Sequence, residues 1–258
     1  MALPTQKSTK KVETLRIQLT DNQETTVHIV QYDRRVTRPR VVLFDEPTRL
    51  LDWCKANNVA DAINGGFFGN EVNGAENGKP VGEVWTDGQQ VSKTMSRFDR
   101  GCLHIDEHGR VTVGYRSAFP QNIVGDLLEV GPLLLKNAAL VFESDVEGFS
   151  AEANFFDNDV TIGRAQRVAV AHDEDSVWFV VSEGRSPTEA GLTLKEMAEF
   201  LLTLGATHAL NLDGGSGSSL VLDQKLINKP RMGADRDYQE FPCGREIVTA
   251  LVFDNNGA

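Results

Sequence analysis

The polar residues with the means to do chemistry collect at the ends of apolar, strand-like runs: Asn64, Glu83, Arg167, Glu183, Arg185, Asp213 and Arg245. A carboxylate so placed can act as general base or nucleophile, and an arginine can grip an anion through two N–H groups. The densest stretch is His208-Ala-Leu-Asn-Leu-Asp-Gly-Gly-Ser-Gly-Ser-Ser-Leu-Val-Leu222. One apolar run ends in Asn211 and Asp213, glycines and serines follow, and a second apolar run begins. Glycine there permits positive φ and a close approach of ligand to main chain. Turn chemistry puts Asp213 and the serines at a loop mouth. A β-hairpin with a Gly-Ser loop and a functional loop both suit this composition.

A second such stretch, Asn64-Gly-Gly-Phe-Phe-Gly69, follows the strand-like Val59–Ile63. Neighbours on an extended chain face opposite ways. One of Phe67 and Phe68 is therefore expected to face the core and the other a cleft, unless both are core residues of a turn. Arg167 opens the run Val-Ala-Val-Ala. A buried charge must be matched, so this arginine is either a paired structural charge or an anion ligand.

The elements that would position these groups read as short strands. Residues 12–19 and 25–32 alternate apolar and polar, and Val41–Phe44 is a short strand. A helix is expected next, with Asp45 as cap, Pro47 in the first turn, and Leu50, Leu51 and Cys54 on one face. Hairpins are expected around Asp87-Gly88, His108-Gly109 and Asp173-Glu-Asp175, with a break at Gly131-Pro132. Thr193 and Glu196 form a capping-box pattern ahead of Leu194, Met197, Ala198, Leu201 and Leu204, and Gly205 is the stop. Residues 143–165 read as a long loop over a site. Many hairpins and two solid helices make the expected class α+β: a mixed, mostly antiparallel β-sheet with a few packed helices in a single domain. Residues 1–11 read as a flexible tail and 12–258 as the domain.

Composition narrows the function. The 258 residues are 40% hydrophobic, enough for a sizeable core, and the net charge is −11. Nucleic-acid binding needs clustered Lys and Arg and is not expected; a small anion held by one or two arginines is. No apolar run approaches the ~20 residues of a membrane helix. The polar N-terminus has no signal-peptide pattern, so a cytoplasmic location is expected as encoded, or secretion if a leader was removed. Three scattered cysteines (Cys54, Cys102, Cys243) argue against a disulfide framework. Nucleophile-elbow, Walker, dinucleotide and His-x-x-x-His patterns are absent. His208, within an apolar strand, reads as a core or supporting residue. No cofactor is called for. The acidic turns Asp157–Asp159 and Asp173–Asp175 could hold a structural calcium but read more simply as solvated turns.

Taken in order, these pieces resemble the phosphodiester glycosidase family. The resemblance runs from about Asp61 to Phe253, through Ala62-Ile-Asn-Gly-Gly-Phe-Phe68, Asp87-Gly88, Gly131-Pro132, Arg167-Val-Ala-Val170, Glu183-Gly-Arg185, Gly191-Leu-Thr-Leu194, Asn211-Leu-Asp-Gly-Gly215 and Arg245. Two pieces depart from the pattern. Ser216-Gly217 exchanges the usual Gly-Ser order, and Glu183 stands where Asp is usual. The resemblance implies hydrolysis of a sugar-1-phosphodiester to free sugar and phosphomonoester, with a small-molecule substrate as the partner. It implies Asp213 as the reacting carboxylate, with Glu83 or Glu183 as the second. Arg167, Arg245 and the Gly214–Ser219 loop, with Gly214, Gly215, Ser216 and Ser218, would hold the phosphate, and Arg185 would also bind substrate. Asn64, Gly65 and Gly66 would line the sugar site, with Asn64 on a sugar hydroxyl and Phe67 or Phe68 stacked on the ring. P–O cleavage at the same site and non-catalytic binding of a sugar phosphate are the competing expectations.

Overall fold

Apolar runs without polar alternation need cover on both faces, and that requirement shapes this fold. The structure, a computed structural model, describes residues 10–69, 76–142, 145–149, 163–233 and 238–253. In strand Val168–His172, Val168 and Val170 point to one cluster and Ala169 and Ala171 to another; strand Ser176–Ser182 does the same with Phe179 and Val181 against Trp178 and Val180. The first cluster is the common core. It takes Val30, Phe179 and Leu210 from one sheet, Ile63 and Leu251 from a second, and Leu103 and Leu128 from a third.

The first sheet has seven strands in the order Lys11–Gln18, Glu24–Asp33, Ser176–Ser182, Val168–His172, His208–Asn211, Leu133–Lys136, Ala139–Leu140. The second has five: Lys225–Leu226, Leu220–Leu222, Asp61–Asn64, Glu246–Phe253, Pro39–Arg49. The third also has five: Gln89–Ser92, Val84–Thr86, Asp126–Glu129, Gly101–Ile105, Val111–Tyr115. All the ladders pair antiparallel. One core joins the three sheets, so the described residues form a largely β body.

Two α-helices among the described residues cover the outer faces. Leu194–Thr203 lays Leu194, Met197, Ala198 and Leu201 on the first sheet, where Ala169, Ala171 and Ala209 leave room for it. Its Thr193–Glu196 capping box is present with both hydrogen bonds, and Gly205 follows at φ +91°. Leu50–Ala56 covers the second sheet through Leu50 and Cys54. This helix starts later than expected. Asp45 and Pro47 lie inside strand Pro39–Arg49, and Arg49 is the N-cap. The strand is an edge, where a proline's missing N–H leaves no ladder bond unmade, and pairing with Ile247 and Glu246 carries it through to Arg49. The first strand begins at Lys11, and Lys10 pairs with the buried Asp61, so the ordered chain reaches into the expected tail.

Two connections matter for the site. The chain leaves the third sheet at Glu129, passes the cis Gly131–Pro132 bond and enters the first sheet at Leu133. His208–Asn211 lies in the first sheet and Leu220–Leu222 in the second, so the Gly-Ser loop crosses between sheets and is not a hairpin. Most of residues 143–165, including Asp157–Asp159, lie outside the described residues.

His172 fastens the first sheet to the third: its Nε2 accepts the Val113 N–H at 3.3 Å, its Nδ1 meets the Asp173 carbonyl at 3.1 Å, and it stacks on His208 at 5.0 Å. Burial, then the charges of Arg34 and His208, press its pKa down to about 4, against Asp173. A base with a depressed folded pKa supports the fold above its unfolded value and loses that support as pH falls toward the folded one. Acidification should therefore cost about 2 kcal/mol at pH 5 and about 3 kcal/mol at pH 4 through this group. Urea denaturation across pH 4–7.5 should show a steeper acid loss in the native protein than in His172→Gln; parallel curves would refute it.

Candidate active site

The ends of strands Asp61–Asn64 and His208–Asn211 meet where the second sheet abuts the first, and the loop 213–219 is strung between them. The Asn64 amide donates from Nδ2 to the Asp213 carbonyl at 2.6 Å and accepts the Ser219 N–H on Oδ1 at 2.9 Å. The Asn64 N–H reaches the Ser219 carbonyl at 3.0 Å, and the Asp213 N–H reaches the Gly65 carbonyl at 3.0 Å. Asn64, expected to hold a sugar hydroxyl, instead spends both polar atoms of its amide within the loop, and it is 1% exposed. Gly65 and Gly66 are forced by space. A Cβ at Gly65 would lie 2.6 Å from Thr249 Oγ1, and one at Gly66 3.3 Å from the Glu129 carbonyl.

Three charged groups converge on the one-turn 3₁₀ segment Gly215–Gly217. Asp213 Oδ2 lies 2.8 Å from where a Cβ of Gly217 would be, so a side chain there would displace that carboxylate oxygen. The Arg185 guanidinium lies 3.1–3.3 Å from the Cβ position of Gly215. Arg245 Nη1 donates to Ser216 Oγ at 2.5 Å. Gly214 passes so close to the Gln166 carbonyl that a Cβ would come within 2.6 Å of it. Arg185 holds φ +59°, a left-handed conformation that costs a non-glycine residue ~1 kcal/mol or more. Strain of this kind clusters at functional sites. The buried hydroxyls of Ser218 and Ser219 have no hydrogen-bond partner among the described residues. Arg185 also borders a cleft of about 580 Å³ lined by polar side chains, among them Arg16, Glu24, Arg164, Thr188 and Glu189.

The other expected residues stand elsewhere. Arg167 is buried, with Nε on the Leu192 carbonyl at 2.9 Å and Nη2 on the Gly163 carbonyl at 2.6 Å. Phe67 packs on the common core and edge-on to Phe149 at 6.1 Å, while Phe68 packs on the opposite face of the second sheet. Opposite facing is as expected, but each ring is half-buried against a cluster. Glu183 is held in a buried network. Its Oε1 meets His28 Nε2 at 3.2 Å and the Lys229 N–H at 2.9 Å, and its Oε2 meets Arg231 Nη1 at 3.1 Å. Glu83 is held by Arg116 Nε at 2.6 Å, Trp85 Nε1 at 2.5 Å and Gln90 Nε2 at 3.1 Å. Burial alone would raise its pKa, but the Arg116 and Trp85 hydrogen bonds outweigh that and hold it below the ordinary range. Buried carboxylates need such partners.

Two buried carboxylates near the glycine-rich wall escaped the sequence reading. Glu129, whose carbonyl faces Gly66, accepts from Thr94 Oγ1 at 2.6 Å. Glu147 accepts the Leu133 N–H at 2.5 Å and the Gly101 N–H at 2.7 Å, and burial pushes its pKa up to about 7. The one hint at Glu129 was a charge closing the apolar run that begins at Asp126. Among the described residues no group of three or more His, Cys, Asp or Glu side chains is placed to hold a metal. Asp173 uses Oδ1 to accept the Asp175 and Ser176 N–H groups of its own turn.

Fold and site together define a largely β protein in which a carboxylate and two arginines meet at a glycine-serine loop between two of its sheets. The sequence profile of the phosphodiester glycosidase family matches residues 57–253, and the chain belongs to that family. Among relatives, the mouse N-acetylglucosamine-1-phosphodiester alpha-N-acetylglucosaminidase is 30% identical over 197 residues, covering 74% of this chain and 36% of that protein. Its human counterpart is 29% identical over 207 residues, covering 78% and 38%. The chain thus spans little more than a third of the length of these relatives. The zebrafish catalytic domain of the same name, described as auto-inhibited by its pro-peptide, superposes with a TM-score of 0.74 at 20% identity, over 96% of this chain and 83% of that one. A hypothetical protein from Synechocystis gives 0.72 at 19% identity, over 95% and 62%.

The Glu183–Arg231 pair is 5% exposed on each side. Removing one partner of such a pair leaves a charge buried alone, at ~3–5 kcal/mol. Glu183→Gln should lower the unfolding free energy by about that amount. With its oxygens met by His28, the Lys229 N–H and Arg231, Glu183 is expected to act through structure, and turnover per folded molecule should stay within about threefold. A loss of turnover of several hundredfold in stably folded Glu183→Gln would return it to the catalytic set.

Proposed function

We propose that the protein hydrolyses a sugar-1-phosphodiester, an N-acetylglucosamine-1-phosphodiester or one like it, to free sugar and a phosphomonoester. The convergence of Asp213, Arg185 and Arg245 on the Gly215–Gly217 turn carries this reading. Family membership and the names of the mouse and human relatives support the same chemistry. The two guanidiniums are suited to the diester's phosphate oxygens, and the hydroxyls of Ser216 and Ser218 lie on the same turn. The Asp213 carboxylate acts on the anomeric carbon, either directly or by deprotonating a water. The anomeric C–O bond breaks, its electron pair leaves with the phosphomonoester, and water supplies the hydroxyl of the sugar. A phosphomonoester leaves without strong acid assistance, which accords with a site where Glu83 and Glu183 are committed to structural partners. The polar cleft beside Arg185 gives a hydrophilic alcohol portion room next to the phosphate.

Asp213→Asn should lower kcat by at least about 100-fold while folding normally. Turnover in ¹⁸O-water should place the label in the sugar. Label in the phosphate would mean P–O cleavage, and tight binding of diesters with no turnover would mean a binding protein. Screening with and without EDTA tests for a metal.

Arg185→Gly should uncouple activity from stability. It removes the cation and relieves the left-handed strain, so stability should move by no more than about 1 kcal/mol while kcat/KM falls at least about tenfold. Unchanged kcat/KM would remove Arg185 from the phosphate site.

A further inference from the structure

We infer that Asn64 is the positioning residue of this reaction: with the Gly65 carbonyl beside it, its amide sets where the Asp213 carboxylate stands. The inference rests on the role given to Asp213 above. One dipeptide, Asn64-Gly65, engages all four main-chain polar groups at the two ends of the loop. Gly65 O and Asn64 Nδ2 take the N–H and carbonyl of Asp213, and Asn64 Oδ1 and N take the N–H and carbonyl of Ser219. Between those ends the loop's backbone has two bonds of its own, Gly217 N to Gly214 O and Ser218 N to Gly215 O, and two outside, Gly215 N to Gln166 O and Asn228 Nδ2 to Ser218 O. The Ser218 and Ser219 hydroxyls add nothing to the anchorage among the described residues.

The dipeptide is itself fixed. Gly65 N donates to the Thr249 carbonyl at 2.8 Å, Gly66 N donates to Thr249 Oγ1 at 2.9 Å, and Asn64 pairs across to Ala250 in the second sheet. Asn64 is 1% exposed, so its amide acts through Asp213 and does not touch the sugar. Only an amide supplies a donor and an acceptor at one side chain of this length. Aspartate keeps the acceptor for Ser219 N–H, loses the donor to the Asp213 carbonyl, and brings a negative charge toward the reacting carboxylate. Alanine loses both bonds and adds no charge. Displacing a reacting group by ~1 Å can cost about 100-fold, and a like charge nearby raises a carboxylate's pKa.

The test compares the native protein, Asn64→Asp, Asn64→Ala and Met197→Ala, a core variant under the helix Leu194–Thr203 that lowers stability far from the site. Hydrogen exchange by mass spectrometry over residues 210–222 should be at least about tenfold faster in both Asn64 variants than in Met197→Ala. On a sugar-1-phosphodiester, kcat should fall about 10- to 100-fold in both Asn64 variants with KM nearly unchanged. The acid limb of the kcat profile should move upward in Asn64→Asp alone. The isosteric Asn64→Asp keeps the test open if Asn64→Ala is too unstable to purify. Native exchange together with native kcat and pH profile in a folded Asn64 variant would overturn the inference. If the native protein turns over no diester, the glycosidase reading fails separately, and native-like loop exchange in the variants would still overturn the hold assigned to Asn64.

Discussion

The site depends on one set of hydrogen bonds, those by which Asn64 and Gly65 hold the two ends of the loop 213–219. Asp213 ends a strand of the first sheet, and Ser219 precedes a strand of the second. Without those bonds the loop would be a flexible crossing, because seven residues rich in glycine lose much conformational entropy when ordered. The bonds are short and buried, and their partners lie on rigid strands. A functional loop carried by a scaffold of this kind can be both glycine-rich and fixed.

The same economy governs the charges around it. Glu183, His28 and Arg231 form one buried network that ties strand Glu24–Asp33 to the segment 229–231, and Gln166 joins it through Lys229 O and Arg231 N. Arg185 Nη1 reaches the Arg231 carbonyl at 3.4 Å, so the network also steadies a guanidinium of the candidate site. Glu83 and Arg116 perform the corresponding task inside the third sheet. A buried carboxylate whose oxygens are met by two or three donors is held in place by them. Burial in these two cases therefore marks support, whereas Asp213 sits on the loop itself.

What the sequence disclosed follows from how local each feature is. The helix after Thr193 was readable because cap, apolar stripe and Gly205 all lie within one short stretch. The hairpin at Asp87-Gly88 was readable because the turn needs positive φ at both residues, and it has +50° and +75°. Asn64, Asp213, Arg185 and Arg245 could be singled out because polar residues closing apolar runs stand out in one dimension. Their roles could not be separated there. Whether a buried carboxylate meets an arginine from 33 positions away, as Glu83 meets Arg116, is decided by strand order. The helix at Asp45 failed for a similar reason. Local capping signals lost to a tertiary pairing with Ile247 and Glu246 at the far end of the chain.

The order of Ser216 and Gly217 shows local and tertiary demands meeting at one point. Asp213 Oδ2 occupies the space a side chain at position 217 would need, at 2.8 Å from its Cβ. A serine there would push the carboxylate oxygen aside. At position 216 the serine hydroxyl accepts from Arg245. Glycine at 217 thus leaves the carboxylate its place, and serine at 216 gives Arg245 an acceptor. An arginine held by a serine hydroxyl keeps guanidinium N–H groups that this one bond does not use. Arg245 can therefore be oriented by the protein and still donate to an anion, as a loop poised between two sheets requires of each of its side chains.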